Sequence, residues 1–218
     1  MKVYRNRKVQ HDIIRTYDRL LTLWEIATKE LDVETMYGMT HVILCGDKKN
    51  PPLVLFHGVG DDSALMWIYN AKYLSQFYCL YAIDTIGGPG KSVPGELYNK
   101  DFEDVIWIDQ ILEQLEIEQA FFAGFSHGGY LLKGFNNMAM GYHKVRTFSE
   151  EEGDIVRDKV EFLVGFEDPF EKLGGAEALS ANQMKVTFYE KAGHGLNHEK
   201  SEEINAKIVQ ILENAVKK

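Results

Sequence analysis

A serine flanked by glycines stands at the end of an apolar run near the middle of this 218-residue chain. Ser126 lies in the sequence Gly-Phe-Ser-His-Gly, where Gly124 and Gly128 carry no side chain. A serine on a sharp turn between a strand and a helix needs such neighbours, because larger side chains would clash there and cover its Oγ atom. The motif therefore predicts that Ser126 is a nucleophile.

The same chemistry needs a base and an acid elsewhere in the chain. Serine is a weak nucleophile until a base takes its proton, and an imidazole acts as that base when a carboxylate orients it. Asp168 and His194 follow Ser126 in the chain, and each comes directly after a predicted strand. Because the carboxyl ends of parallel strands meet at one edge of a sheet, we expect the three side chains to meet there, with His194 as the base and Asp168 as the residue that orients it.

Acyl transfer also needs N–H groups that stabilise a negatively charged oxygen. The usual sources are the residue after the nucleophile and the loop that follows an early central strand. His127 follows Ser126, and Val59 lies in a loop that follows the apolar run 53–56. The backbone N–H groups of Val59 and His127 are therefore the predicted oxyanion donors.

Other residues near these motifs leave alternatives open. His198 is a second candidate for the base. A different acid would come from one of four other carboxylates, namely Glu167, Glu152, Asp154 and Asp158. His57 is expected to be a structural loop histidine bonded to backbone. The run Gly90-Lys91-Ser92 invites comparison with a phosphate-binding loop, but Thr85 stands where that motif requires glycine, so nucleotide binding is not expected.

Strand and helix patterns alternate along most of the chain. Strands are predicted at residues 33–37, 39–45, 53–56, 78–83, 160–164 and 185–189 and directly before Ser126. Helices are predicted within residues 11–31, 63–75, 102–115, 129–140 and 199–216. This alternation predicts an α/β fold, with a mostly parallel central sheet flanked by helices. The length favours one domain over residues 1–218.

Several of these segments resemble successive motifs of the α/β-hydrolase superfamily. They are residues 55–58, 82–84, 90–92, 124–129, 165–169 and 192–194. Residues 17–24 and 37–43 further resemble bacterial carboxylesterase-type members. The resemblance implies the α/β-hydrolase fold and a serine hydrolase that cleaves small carboxylic esters through an acyl-enzyme, with neither metal nor cofactor. Two alternatives stay open: a perhydrolase or acyltransferase with the same triad, and a non-catalytic binding or assembly protein.

One departure from the family pattern lies between Ser126 and Asp168. Family members usually have a helix, a strand and a lid of several helices there, whereas this chain has room for a helix at 129–140, a short strand at 144–148 and an approach to the next strand at 148–152. The lid is therefore predicted to be reduced or absent. If the sixth strand of the sheet is missing, the exposed edge is a pairing surface, and a homodimer is one hypothesis.

Composition limits the expected partners and location. The formal charge of −9 comes from 33 acidic residues against 24 Lys and Arg, which disfavours nucleic acid and anionic membranes. A small ester substrate is compatible with this balance. We see no apolar run of signal-peptide or membrane-span length, so a cytoplasmic protein is expected. Cys45 and Cys79 lie in apolar stretches and are predicted to be buried free thiols.

Overall fold

The computed structural model describes residues 3–126, 149–169 and 175–217. Contacts within the chain divide it into two units, Met1–Thr147 and Phe148–Lys218. The first unit carries the Ser126 segment, and the second carries the segments of Asp168 and His194.

The first unit is built on a mixed sheet. Its strands are β1 (Thr28–Thr35), β2 (Gly38–Cys45), β3 (Pro52–Phe56), β4 (Cys79–Ile83), β5 (Val93–Pro94) and β6 (Phe121–Gly124). They are ordered β1-β2-β4-β3-β6, with β5 paired to β2. The pairs of β3 with β4 and of β3 with β6 are parallel, whereas β2 runs antiparallel to β1, β4 and β5. The predicted sheet is present, and its amino-terminal part is antiparallel.

Strands β4 and β3 lie inside this sheet, between β2 and β6, and both of their faces are apolar. Every residue of β4 is buried, as are the last four residues of β3. Such continuous apolar runs are typical of strands covered on both sides. The register sets Phe56 beside Ile83 on one side and beside Gly124 on the other. The loops that follow β3, β4 and β6 therefore begin at the same edge of the sheet.

The first unit also contains four helices in its described part. These are α1 (Arg7–Thr22), α2 (Ser63–Met66), α3 (Ala71–Leu74) and α4 (Asp104–Gln114). The indole N–H of Trp24 donates to the Ala64 carbonyl at 2.9 Å, and that of Trp107 donates to Thr40 Oγ1 at 2.8 Å. Both indoles are fully buried, so each packs its ring and still satisfies its one polar group.

Two helix predictions in this unit are wrong in extent. The helix predicted within residues 11–31 ends at Thr22, and residues 28–35 pair with β2 instead. Glu25 has a left-handed backbone, with φ of 54°, which no continuing helix accepts. The single helix predicted at 63–75 is two short helices separated by turns at residues 67–70.

The second unit places two parallel strands among helices. In chain order it has α5 (Glu150–Lys159), β7 (Glu161–Gly165), α6 (Gly175–Ala181), β8 (Lys185–Tyr189), α7 (Leu196–Glu199) and α8 (Ser201–Val216). The parallel pairing of β7 with β8 aligns Gly165 with Tyr189, so the loops that carry Asp168 and His194 leave the two strands at the same end.

The approach to a strand predicted at residues 148–152 is wrong, because a helix begins there. The Ser149 side chain accepts the Glu152 N–H, and the Glu152 carboxylate accepts the Ser149 N–H, which is a reciprocal capping box. Acidic residues in the first turn of α5 also suit the positive end of the helix dipole. The segments predicted at 129–140 and 144–148, on which the reduced lid and the missing strand depend, lie outside the described residues.

Two further expectations concern the cysteines and membrane-spanning segments. Cys45 and Cys79 are both buried and free, as predicted, and burial raises the pKa of the Cys45 thiol to about 12. In the described ranges, no helix has both the length and the apolar character that a membrane crossing requires.

Candidate active site

Ser126 stands on a strained turn at the carboxyl end of β6. The Phe125 N–H donates to the Phe56 carbonyl at 3.0 Å, which extends the pairing of β6 with β3 by one residue. The chain then turns at Ser126, whose φ of 51° lies in the left-handed region. A non-glycine residue rarely adopts this conformation, and such strain concentrates at functional sites. The serine side chain is exposed, as a nucleophile must be.

The loop that follows β3 packs against this turn. A Cβ atom added to Gly58 would lie 3.1 Å from Phe125 Cδ1 and 3.3 Å from Ser126 Cβ, so the loop can approach the serine this closely because Gly58 has no side chain. Val59, the predicted oxyanion donor, follows Gly58 and is half-buried. The second predicted donor, His127, lies outside the described residues.

His57 holds this loop in place. Its ring is fully buried, its Nε2 atom accepts the Thr85 N–H at 2.9 Å, and its Nδ1 atom lies 2.8 Å from the Gly58 carbonyl oxygen. Because Nε2 accepts, the ring proton is on Nδ1, which donates to Gly58. His57 is therefore a backbone-bonded structural histidine, as its position in the sequence predicted.

Asp168 and His194 form a hydrogen-bonded pair in the second unit. His194 Nδ1 lies 2.8 Å from Asp168 Oδ2. The carboxylate is mostly covered, with 17% of its side chain exposed, whereas the imidazole is 57% exposed. A carboxylate that accepts from Nδ1 fixes the tautomer in which Nε2 carries the lone pair. The pair thus has the geometry of an oriented base.

Backbone hydrogen bonds join the two loops that carry this pair. The Phe166 N–H donates to the Tyr189 carbonyl, and the Glu167 N–H donates to the Ala192 carbonyl, each at 2.9 Å. Gly165 makes this approach sterically feasible, because a Cβ atom there would lie 2.2 Å from the Ala192 oxygen. The position of His194 relative to Asp168 is therefore set by the main chain as well as by their side-chain bond.

The alternative residues have other partners or positions. His198 lies within α7, and its N–H donates to the Gly195 carbonyl at 2.9 Å. Glu152 belongs to the capping box of α5, and Asp154 pairs with Arg157 on the same helix. The Asp158 carbonyl accepts from Lys185. Glu167 contributes its backbone N–H to the loop.

A buried group of charged residues in the first unit was missed at the sequence level. Asp84 is fully buried directly after β4, and its carboxylate faces His41 Nδ1 at 3.1 Å and accepts the Lys91 N–H at 2.8 Å. The other ring nitrogen of His41 lies 2.9 Å from Glu30 Oε2. Burial by itself raises the pKa of Asp84, but the hydrogen bond to His41, the neighbouring imidazoles of His57 and His41 and the hydrogen bond from the Lys91 N–H together outweigh it, so this pKa lies below its ordinary value.

This group explains the run Gly90-Lys91-Ser92. The Lys91 ammonium pairs with Asp18 and Glu30, and the Ser92 hydroxyl donates to the Asp84 carbonyl at 2.6 Å. The run therefore wraps a buried carboxylate of the protein itself, in keeping with the absence of a phosphate-loop glycine at position 85.

Across residues 3–126, 149–169 and 175–217, no group of three or more His, Cys, Asp or Glu side chains is arranged to hold a metal ion.

Comparisons with known proteins agree with this fold. Residues 51–132 match the family model described as alpha/beta hydrolase fold. Carboxylesterase YbfK of Bacillus subtilis strain 168 is 36% identical over 121 residues, which are 56% of this chain and 40% of that protein. The carboxylesterase nap of the same organism is 36% identical over 115 residues, covering 53% of this chain and 38% of that protein. The matched segment thus spans less than half the length of each relative.

Solved structures extend the likeness to nearly the whole chain. The naproxen esterase of Bacillus subtilis superposes with a TM-score of 0.79 at 21% identity, covering 97% of this chain and 100% of that one. The carboxylesterase CesB (YbfK) from the same organism gives 0.77 at 20% identity, covering 93% and 98%. The chain therefore has the α/β-hydrolase fold, and more than half of its sequence is similar to bacterial carboxylesterases.

Proposed function

We propose that this chain is a serine hydrolase that cleaves small carboxylic esters through an acyl-enzyme intermediate. Ser126 is the nucleophile, His194 is the general base and acid, and Asp168 orients the imidazole. The backbone N–H groups of Val59 and His127 stabilise the oxyanion. This assignment is a proposal for the whole protein, since the curated relatives are matched over only part of their length.

The reaction follows from these roles in two halves. Ser126 Oγ bonds to the ester carbonyl carbon while His194 Nε2 takes the hydroxyl proton, and the carbonyl oxygen becomes an oxyanion. The bond to the alcohol oxygen then breaks, and His194 returns the proton to the leaving alkoxide. In the second half, water attacks the acyl-enzyme with His194 as base, which releases the carboxylic acid and restores Ser126.

The observation that carries the proposal is the bond of 2.8 Å between His194 Nδ1 and Asp168 Oδ2, which leaves Nε2 as the basic nitrogen. The left-handed backbone of Ser126, against a loop anchored by His57, adds support from the other unit. The names of the relatives, both carboxylesterases, favour an ester as the substrate class.

Steady-state hydrolysis of p-nitrophenyl esters with graded acyl chains tests the proposal. We expect hydrolysis by the wild type and a loss of at least about a thousandfold in kcat for Ser126→Ala and for His194→Ala. His198→Ala is the matched control and retains activity within about twofold. If the lid is reduced, we expect esters with short and medium acyl chains to be hydrolysed at similar rates.

The same assay separates the alternatives. Faster acyl transfer to hydrogen peroxide or to an alcohol than to water, with the same dependence on Ser126, would indicate a perhydrolase or an acyltransferase. An inactive wild type, or Ser126→Ala with full activity, would refute the proposal and favour a binding or assembly protein.

Light scattering over a range of concentrations tests the proposed homodimer, which a constant monomer mass would exclude.

A further inference from the structure

The loop that carries His194 folds around a carboxylate that the triad does not include. The Gly193 N–H donates to Glu199 Oε2 at 2.7 Å. A Cβ atom on Gly195 would lie 3.0 Å from the other oxygen, Oε1, and one on Gly193 would lie 3.6 Å from it. The carboxylate of Glu199 therefore sits against the backbone on both sides of His194.

His194 lies between two glycines, so a contact that restrains the backbone of this loop limits a large conformational freedom. Glycine loses more conformational freedom on folding than any other residue, so the sequence Gly-His-Gly is costly to hold in one conformation. The hydrogen bond to Glu199 is short and charge-assisted, and bonds of this kind are about twice as strong as neutral ones. It fixes the peptide group between Ala192 and Gly193, one residue before His194.

Other contacts hold the neighbouring groups of this loop. Asp168 holds the imidazole ring, and the Ala192 carbonyl, at the other end of the same peptide group, accepts the Glu167 N–H. The Gly195 carbonyl accepts the N–H groups of both His198 and Glu199 at 2.9 Å, which fixes the residue after His194. Glu199 supplies the bond on the N–H side of the Ala192–Gly193 peptide group.

We propose that Glu199 is a positioning residue for His194. Its carboxylate accepts the Gly193 N–H and holds the loop so that the imidazole keeps its bond to Asp168 and presents Nε2 in a constant direction. This inference rests on the proposed function for its effect on catalysis. Its structural part concerns only residues of the second unit.

Three variants test the proposal by steady-state kinetics. Glu199→Ala removes the acceptor, and we expect kcat to fall by about 10- to 100-fold with KM within about twofold, because a small misplacement of a catalytic group has an effect of this size. Glu199→Gln keeps an oxygen at the same distance and should retain most of the activity. Glu202→Ala removes an exposed glutamate from the first turn of α8 and is the matched control, with unchanged kinetics.

Proton NMR of the His194 ring gives a readout that does not depend on turnover. The Nδ1 proton shared with Asp168 is protected from exchange with solvent while the pair is aligned. We expect its downfield resonance in the wild type and in Glu199→Gln, and its broadening or loss in Glu199→Ala. Thermal unfolding of each variant shows whether it is folded. If Glu199→Ala does not fold, Glu199→Asp replaces it, because the shorter carboxylate no longer reaches Gly193 and should give the same loss.

The outcomes of the two proposals are distinguishable. A wild type that hydrolyses no ester refutes the proposed function, while the imidazole resonance still tests whether Glu199 positions His194. An active wild type with a folded Glu199→Ala variant of equal kcat and unchanged resonance overturns the positioning role alone. Equal losses in Glu199→Ala and Glu199→Gln also overturn it, since the hydrogen-bond acceptor would then not be what matters.

Discussion

At the scale of single residues, the absence of one side chain decides how closely the two loops of the second unit approach. Gly165 has the Ala192 carbonyl where a Cβ atom would stand, with contacts of 2.2 Å to its oxygen and 2.6 Å to its carbon. We predict that Gly165→Ala pushes the His194 loop away from β7 and breaks the bond from Glu167. Activity should fall at least about 100-fold, and the free energy of unfolding by about 2 kcal/mol.

Gly153→Ala is the control for this substitution. Gly153 lies inside α5, and the nearest atom to an added Cβ is the flexible Arg157 guanidinium at 3.4 Å. Alanine is favoured over glycine within a helix, so this change should be neutral or stabilise by up to about 1 kcal/mol. Ester kinetics and urea unfolding measure both variants, and equal behaviour of the two would refute the steric argument.

Asp62 is a second residue with a testable property, because its buried environment raises the pKa of its carboxyl group. Its side chain caps α2 by accepting the Leu65 N–H at 2.9 Å, and it is nearly buried. Burial, with added repulsion from Asp84 and Asp61, raises the pKa of Asp62 from 3.8 to about 6. Between these two values the folded state binds more protons than the unfolded state, so this carboxyl group lowers stability as pH rises through that range.

We predict that Asp62→Asn stabilises the protein at pH 7.5 by about 1 to 3 kcal/mol and has little effect at pH 4. The amide keeps an oxygen for the Leu65 N–H but never carries the buried charge. Urea unfolding of variant and wild type at both pH values gives the difference, with Asp61→Asn as the half-exposed control. A variant less stable than the wild type at pH 7.5 would contradict the argument.

At the scale of elements, helix α1 is fixed to the sheet by a few polar contacts as well as by its apolar face. Tyr17 Oη lies 3.2 Å from His41 Nδ1, and Asp18 pairs with Lys91 at 2.6 Å. Carboxylate oxygens of Asp84 and Glu30 face the two ring nitrogens of His41. Helix and strands thus share one set of charged and polar contacts, which extends from the buried His41 and Asp84 to the more exposed Glu30 and Asp18.

His41→Ala should therefore destabilise the protein by about 3 kcal/mol, because it removes the ring nitrogen that faces the fully buried carboxylate of Asp84. His11→Ala is the control, since His11 is exposed on α1 and its loss should change stability by less than about 0.5 kcal/mol. Guanidinium unfolding followed by tryptophan fluorescence measures both. A His41→Ala variant as stable as His11→Ala would show that the polar contacts around His41 do not fix α1 to the sheet.

The elements themselves were predictable to different degrees. Strands β3 and β4 were predicted within a residue of their observed bounds, because continuous apolar runs between turn residues are a local signal. The first helix was predicted too long, since β1 alternates charged and apolar residues that also fit helical spacing, and its pairing with β2 is a tertiary effect. Helix α5 was missed although Ser149 and Glu152 have the spacing of a capping box.

At the scale of the whole molecule, the candidate site is predictable where chemistry needs particular residue types after particular strands. Ser126, Asp168 and His194 each follow a strand, and this order predicts the contact of Asp168 with His194 that the structure contains. Glu199 and the buried His41 carried no such signal. Their roles depend on backbone and side chains that tertiary structure brings together, and spacing along the chain does not encode those contacts.

The central proposal is that Ser126 is a nucleophile with His194 as its base, and covalent labelling with a fluorophosphonate tests it most directly. Mass spectrometry of the intact protein should find one adduct per chain, which peptide mapping assigns to Ser126. The labelling rate should fall at least about a thousandfold in His194→Ala, because the serine then has no base. Labelling of the wild type and His194→Ala at equal rates, or no adduct at Ser126, would contradict the account.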